Sequence, residues 1–303
     1  MPARHAVIVN PASGDGSAGD DRAERIVGHF DAAGPDCSIY RTGRGRSPEA
    51  AVRAAIEAGA TTVVAAGGDG TVSAVADAVL DAPRAVRLGI IPMGTFNYFA
   101  RGRSLPLGEE QAVATLAHGT LRDVRPGPVN GRVFLNNMSI GLYPSVLELR
   151  EGVYARWGRS RPAAYWSVLL SLGGMQRPMR LSLILDGTAQ RLRTPLLFVA
   201  RSAYQLERYN LEGAAAVKAG GFAVFAARAT RRRDLVRAAL SLARRKPQRG
   251  EDFAPDTAWR LVIAMGRSTA LVARDGERER MRTPLRVAPA RHALAVHVPA
   301  GAT

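Results

Sequence analysis

The chain is nearly without cysteine: Cys37 stands alone among 303 residues, so no disulfide forms within it and a reducing, cytoplasmic setting is expected. Long apolar runs are missing as well. The best stretch, residues 162–175, is shorter than the roughly twenty residues a membrane-spanning helix needs, and serine and glycine interrupt it. The first ten residues hold no apolar core of a secretory signal, only Val7 to Val9. Acidic residues are in deficit, with 26 Asp and Glu against 42 Lys and Arg, which leaves a formal charge of +16. A surface this positive attracts phosphates, anionic lipid headgroups or nucleic acid. No zinc-finger spacing or aromatic RNA-binding strand accompanies the charge, so nucleic acid is the disfavoured partner.

What the chain does have is centred on residues 63–72, V-V-A-A-G-G-D-G-T-V. Small and β-favouring residues run into Gly67-Gly68-Asp69-Gly70-Thr71. Val72, Val75, Ala76, Val79 and Leu80 then recur at helical spacing, so the stretch reads as strand, glycine turn, helix. Glycines let backbone N–H groups approach an anion without a Cβ in the way, and the helix start behind them favours negative charge, which makes phosphate the expected guest. Asp69 would repel that guest unless it holds a metal or takes a proton; its alternative role is that of a capping residue in a tight turn. The loop matches neither the G-x-G-x-x-G fingerprint nor the G-x-x-x-x-G-K-[ST] loop.

The flanking pattern is that of βαβ units. A strand at 5–9 ends in Asn10-Pro11-Ala12-Ser13-Gly14, and a helix is expected from about 19 to 32. Strand 37–41 leads to Thr42 and a helix near 48–58. A helix running to about 82 follows the central loop. Strand 87–91 ends in Pro92-Met93-Gly94-Thr95-Phe96-Asn97-Tyr98-Phe99-Ala100-Arg101, and helix 109–118 closes this half. Pro126-Gly127-Pro128 reads as a boundary between an α/β domain at 1–126 and a β-rich domain at 127–303, whose last strand has the option of returning to the first domain. Short apolar runs at 132–135, 180–185, 195–200, 222–226, 259–264, 269–272 and 293–298 are expected to be strands of an antiparallel sandwich. Asp275-Gly276-Glu277 is a hairpin turn leading toward the strand near Leu285. Residues 156–175 and 228–249 mix arginines with apolar residues, as basic amphipathic helices at a headgroup surface do.

N-P-x-S-G, G-G-D-G-T and P-M-G-T-F-N-Y-F-A-R, in this order at the ends of successive strands, resemble the diacylglycerol kinase catalytic family, which includes bacterial lipid kinases and sphingosine kinases. NAD kinases and phosphofructokinases are more distant relatives with a similar loop. Asn136-Asn137-Met138-Ser139-Ile140-Gly141 and Asp275-Gly276-Glu277 extend the resemblance into the second half. It implies a Rossmann-like ATP domain followed by a β-rich lipid-substrate domain. It further implies an ATP-dependent kinase that transfers the γ-phosphoryl group to a hydroxyl of diacylglycerol or a related long-chain lipid, in phospholipid metabolism, with the protein held peripherally at an anionic membrane. By the same resemblance, Asn10, Thr42, Gly67, Gly68, Asp69, Gly70, Thr71, Gly94, Thr95 and Asn97 bind the nucleotide. Asp69 orients Mg²⁺ or the acceptor, and Glu277 takes the proton. Two positions depart from the family. Tyr98 stands where many members carry Asp, and 217–222, V-K-A-G-G-F, has no carboxylate where bacterial members hold a structural Mg²⁺ in an acidic loop, so Mg²⁺ is expected only with ATP. The alternatives are a nucleotide-binding regulator with weakened chemistry and a kinase for NAD or a soluble polyol.

Overall fold

The computed structural model describes residues 4–11, 19–43, 45–142, 178–228, 234 and 253–302. The basic segments expected at 156–175 and 228–249 lie outside the described residues, apart from Arg228 and Asp234. Two compact units divide the chain, one of Met1–Pro126 with Arg291–Thr303 and one of Gly127–Ala290.

The first unit is a six-stranded sheet. Strands β1 (His5–Val9), β2 (Cys37–Arg41), β3 (Thr62–Gly67) and β4 (Arg87–Pro92) are parallel in the order β2-β1-β3-β4. Beyond β4 lie β18 (Leu294–Val298), parallel to it, and β5 (Thr120–Val124), antiparallel to β18. The C-terminal strand therefore belongs to this sheet, and the β-rich unit ends at Ala290 rather than at 303. Helices α1 (Gly19–Ala33), α2 (Pro48–Glu57), α3 (Asp69–Leu80) and α5 (Glu109–His118) connect the strands, with a short α4 (Tyr98–Gly102) after β4. Both β1 and β3 are wholly buried, as continuous apolar strands covered on two faces should be. Helix α2 shows why its sequence starts and holds there. Ser47 accepts from the Ala50 amide at 3.2 Å, Pro48 supplies the first turn, and Ala51, Val52, Ala55 and Ile56 form the buried face.

The second unit is a sandwich of two antiparallel six-stranded sheets, β10-β9-β14-β17-β6-β7 and β13-β12-β11-β8-β15-β16. The first contains β6 (Gly127–Val129), β7 (Arg132–Phe134), β9 (Met179–Leu185), β10 (Thr188–Thr194), β14 (Leu261–Met265) and β17 (Leu285–Val287). The second contains β8 (Asn137–Gly141), β11 (Leu196–Ala200), β12 (Phe222–Ala227), β13 (Phe253–Ala258), β15 (Thr269–Arg274) and β16 (Glu277–Arg282). Phe134, Leu183 and Leu261 from one sheet and Met138, Leu197, Phe222 and Val272 from the other share one core. The opposite face of the second sheet carries α6 (Ala203–Arg208) and α7 (Ala214–Lys218) on Ala200, Ala223 and Phe225. Asn130-Gly131, Asp186-Gly187 and Asp275-Gly276 close three hairpins with both residues at positive φ, the turn geometry that matches strand twist. The Asp275-Gly276 turn leads into β16, which pairs with β15 from Arg274↔Glu277 to Thr269↔Arg282, and not directly into the strand at Leu285.

One buried pair makes the first unit sensitive to acid. His297 on β18 and His5 on β1 lie with ring centroids 6.3 Å apart, both nearly inaccessible. Burial, and then the neighbouring His5 and Arg87, lower the His297 pKa from 6.5 to about 4. Between these values the unfolded chain binds a proton that the folded chain refuses, so stability is complete above about pH 6.5 and declines as pH falls toward 4. With allowance for solvent screening, the loss is on the order of 2 kcal/mol. Denaturant midpoints measured from pH 7 to pH 4 should fall for the wild type and fall less for His297→Gln; equal slopes would remove His297 as the cause.

Candidate active site

Four strand ends meet at one edge of the parallel sheet. Asn10 follows β1, Thr42 follows β2, Gly67 ends β3, and Met93-Gly94 follow β4. Ligands in open α/β sheets bind beyond such carboxyl ends, where loops of adjacent strands diverge. Hydrogen bonds fix the ends to one another. The amide of Thr42 donates to the Val9 carbonyl at 2.9 Å and its hydroxyl donates to the same oxygen at 3.3 Å. The Asn10 amide donates to the Ala66 carbonyl at 3.4 Å, and Met93 N donates to Gly67 O at 2.9 Å.

The glycines are required by contact rather than by torsion. A Cβ on Gly94 would sit 2.6 Å from the Gly68 Cα and 2.8 Å from Asn97 Oδ1, and one on Gly67 would run into Thr71 at 2.5–2.7 Å. Gly68 and Gly94 thus bring two loop backbones into direct contact. Behind Gly68, α3 begins at Asp69, and its first intrahelical bond to a capping carbonyl is Val72 N to Gly68 O at 3.0 Å. The amides of Asp69, Gly70 and Thr71 precede that bond and have no carbonyl of the helix to reach, which is the arrangement that receives an anion. Thr71 is buried below them, and its hydroxyl accepts from Asn10 Nδ2 at 3.2 Å.

Asp69 does more than end a turn. Its Oδ2 accepts from Tyr98 N and its Oδ1 from Phe99 N, both at 3.1 Å, so the carboxylate reaches across to the first turn of α4. The residue that introduces α4, Asn97, has a left-handed backbone at φ 51 and closes its own loop. Its Oδ1 accepts from Gly94 N at 2.9 Å and its Nδ2 donates to Gly94 O at 2.7 Å. Asn97 is buried and acts by shaping the loop, while Thr95 is exposed at its crest. Tyr98 contributes its amide to Asp69, and its ring stacks on Phe96 with centroids 5.4 Å apart and planes 6° from parallel.

In the second unit the residues of D-G-E separate. Glu277 is exposed at the first position of β16. Asp275 is buried, and its carboxylate accepts from the amides of Leu135, Asn136 and Asn137 at 2.6, 2.8 and 3.0 Å, tying the hairpin to the start of β8. The sequence pattern drew attention to Glu277 and missed this role; the only local sign was an Asp beside the turn glycine, a pairing usually exposed. Asn137 donates to Gln205 Oε1 at 3.0 Å, and Ser139 is fully buried between Phe198 and Ala273 in the sheet. At residues 217–221 the guanidinium of Arg201 donates to the carbonyls of Val217 at 3.2 Å and Gly221 at 3.0 Å, so two oxygens of the loop that departs from the family already face a cation. No cluster of three metal-ligating side chains occurs among the described residues.

Comparison with known proteins agrees with this geometry. Residues 4–129 match the diacylglycerol kinase catalytic domain. A "Probable lipid kinase YegS-like" protein of Pseudomonas aeruginosa is 37% identical over 119 residues, 39% of either chain. A diacylglycerol kinase of Staphylococcus saprophyticus is 32% identical over 136 residues, 45% of this chain and 44% of that one. The matched stretch thus spans less than half the length of these relatives. A solved diacylglycerol kinase from Bacillus anthracis shares the fold across 98% of this chain and 97% of its own, with a TM-score of 0.68 at 19% identity. Another structure from that organism gives 0.75 at 20% identity. Residues 4–129, which carry the glycine loop, the Asp69 carboxylate and the start of α4, are thus the part of the chain that matches the diacylglycerol kinase catalytic domain.

Proposed function

We propose that the chain is an ATP-dependent lipid kinase whose acceptor is the hydroxyl of diacylglycerol or a related long-chain lipid. The observation that carries the reading is the contact of Gly68 with Gly94, which packs two strand-end backbones together at the start of α3, beside the Asp69 carboxylate. Phosphoryl transfer asks mainly for positioning and charge neutralisation, and this edge offers both. The amides of Asp69, Gly70 and Thr71 would face phosphate oxygens, and the exposed Thr95 hydroxyl would donate to them.

In the reaction the acceptor oxygen forms a bond to the γ-phosphorus as the bond from that phosphorus to its bridging oxygen breaks. ADP departs, and the hydroxyl proton passes to a carboxylate. The Asp69 carboxylate, fixed at the start of α3 by the Tyr98 and Phe99 amides, would suit Mg²⁺, which is typically held by one or two carboxylates together with substrate phosphates. Mg²⁺ that arrives with the nucleotide would supply charge neutralisation. Glu277, exposed and unengaged among the described residues, is the proposed proton acceptor. Tyr98 in place of Asp leaves the amide contact to Asp69 intact, which favours an active enzyme over a regulator.

Labelled ATP offered with diacylglycerol micelles, soluble polyols or NAD should place phosphate on the lipid; transfer to NAD alone, or tight ATP binding with no transfer, contradicts the reading. Asp69→Asn should lower turnover by about a hundredfold or more while also lowering the melting temperature, because an amide puts a donor against one of the two N–H groups. If turnover falls only as far as the folded fraction falls, Asp69 is solely a tie between loops. Glu277→Gln should cut turnover by about a hundredfold with melting temperature and ATP affinity unchanged, and normal turnover would assign the proton to another group. Chelation of Mg²⁺ without nucleotide should leave the melting temperature where it was; a drop of several degrees would reveal a structural metal.

A further inference from the structure

The outer face of the sheet formed by β10, β9, β14 and β17 carries charge that the fold does not neutralise. Arg193 on β10 lies directly opposite Arg180 on β9, and Arg191 lies opposite Ser182. All three arginines are exposed, and none forms an ion pair with a described residue. With Ser182, Ala264 and Met265 they line a depression of about 540 Å³. Like charges facing each other across a strand pair are destabilising, so this pairing is a local cost that no described residue of the unit offsets with an ion pair. Next to the arginines the same face turns apolar. Ile184, 41% exposed, is flanked by Ala189 on β10 and Val262 on β14, while the alternate residues Leu181, Leu183 and Leu185 point into the sandwich core.

Arginine forks match phosphate oxygens, and an apolar strip beside a basic cluster suits the boundary between headgroups and acyl chains. We propose that this face docks on a bilayer containing anionic phospholipids, with Arg180, Arg191 and Arg193 at the lipid phosphates and the Ile184 strip against the acyl boundary. The proposal extends the lipid-kinase reading by giving the enzyme a place to meet a membrane-held substrate, and its deciding readout, vesicle binding, does not depend on turnover.

Binding to phosphatidylcholine vesicles with and without phosphatidylglycerol would be measured by co-sedimentation for the wild type and for the triple variant Arg180→Gln, Arg191→Gln, Arg193→Gln. Each arginine near an anionic surface is worth roughly fivefold in partition, so affinity for the anionic vesicles should fall by about a hundredfold. The melting temperature should hold or rise because the Arg180–Arg193 repulsion is gone, and phosphorylation of a short-chain soluble diacylglycerol should be unchanged. Undiminished vesicle binding by the variant would overturn the proposal. So would inorganic phosphate raising the melting temperature of the wild type alone while both proteins bind vesicles equally, since the face would then hold a free anion. If no lipid is phosphorylated but vesicle binding is lost in the variant, the docking face stands and the kinase reading falls.

Discussion

The Asp69 carboxylate, shared between the amides of Tyr98 and Phe99, is the contact on which the strand-end edge of the first sheet depends. Met93 N to Gly67 O and the packing of glycine on glycine also join the loop after β3 to the loop after β4. A loop edge that stays open on one side cannot be organised by apolar burial there. Backbone amides satisfied by one carboxylate give rigidity in that setting without covering the surface.

The second unit repeats the device. Asp275 takes three amides, from Leu135 to Asn137, and so fixes the D-G turn against the entry of β8. Glu277, two residues on, is thereby presented from an anchored hairpin rather than a loose one. In both places an acid beside glycine looked catalytic in the sequence, and in both the aspartate is bonded to backbone. For Asp69 the tie between loops is compatible with the proposed role toward Mg²⁺, because a carboxylate oxygen can accept more than one bond. Asp275 is buried and spends its oxygens on three amides, which leaves Glu277 as the accessible carboxylate of its turn.

Elements with strong periodicity were legible from residues alone: β1, β2 and α5 begin and end where the alternation, the apolar runs and the charged first turn place them. Strand β16 was not, since E-R-E-R-M-R offers one apolar residue and reads as solvated charge; its pairing to β15 and the burial of Met281 make it a strand. Strand β10, T-A-Q-R-L-R-T, was hidden for the same reason, and with it the arginine face. The position of the glycine loop was readable, but not the partner of Asp69, which lies 29 residues away and is an amide rather than a side chain. The bonds of Asn97 to Gly94 were not readable either, because they depend on a left-handed backbone the sequence only permits. The return of β18 to the first sheet was left open by the sequence, because a short apolar strand fits either unit equally.

Amide hydrogen exchange at Tyr98 and Phe99 in the nucleotide-free protein tests the central contact most directly. Helix α4 begins at Tyr98, so its first-turn amides have no helical acceptor and would exchange as exposed groups unless Asp69 holds them. Slow exchange at both positions, abolished in Asp69→Ala while the amides of β3 stay protected, is the predicted result. Rapid exchange at both positions in the wild type would mean that the carboxylate does not join the two loops, and the account of how this edge is organised would be wrong.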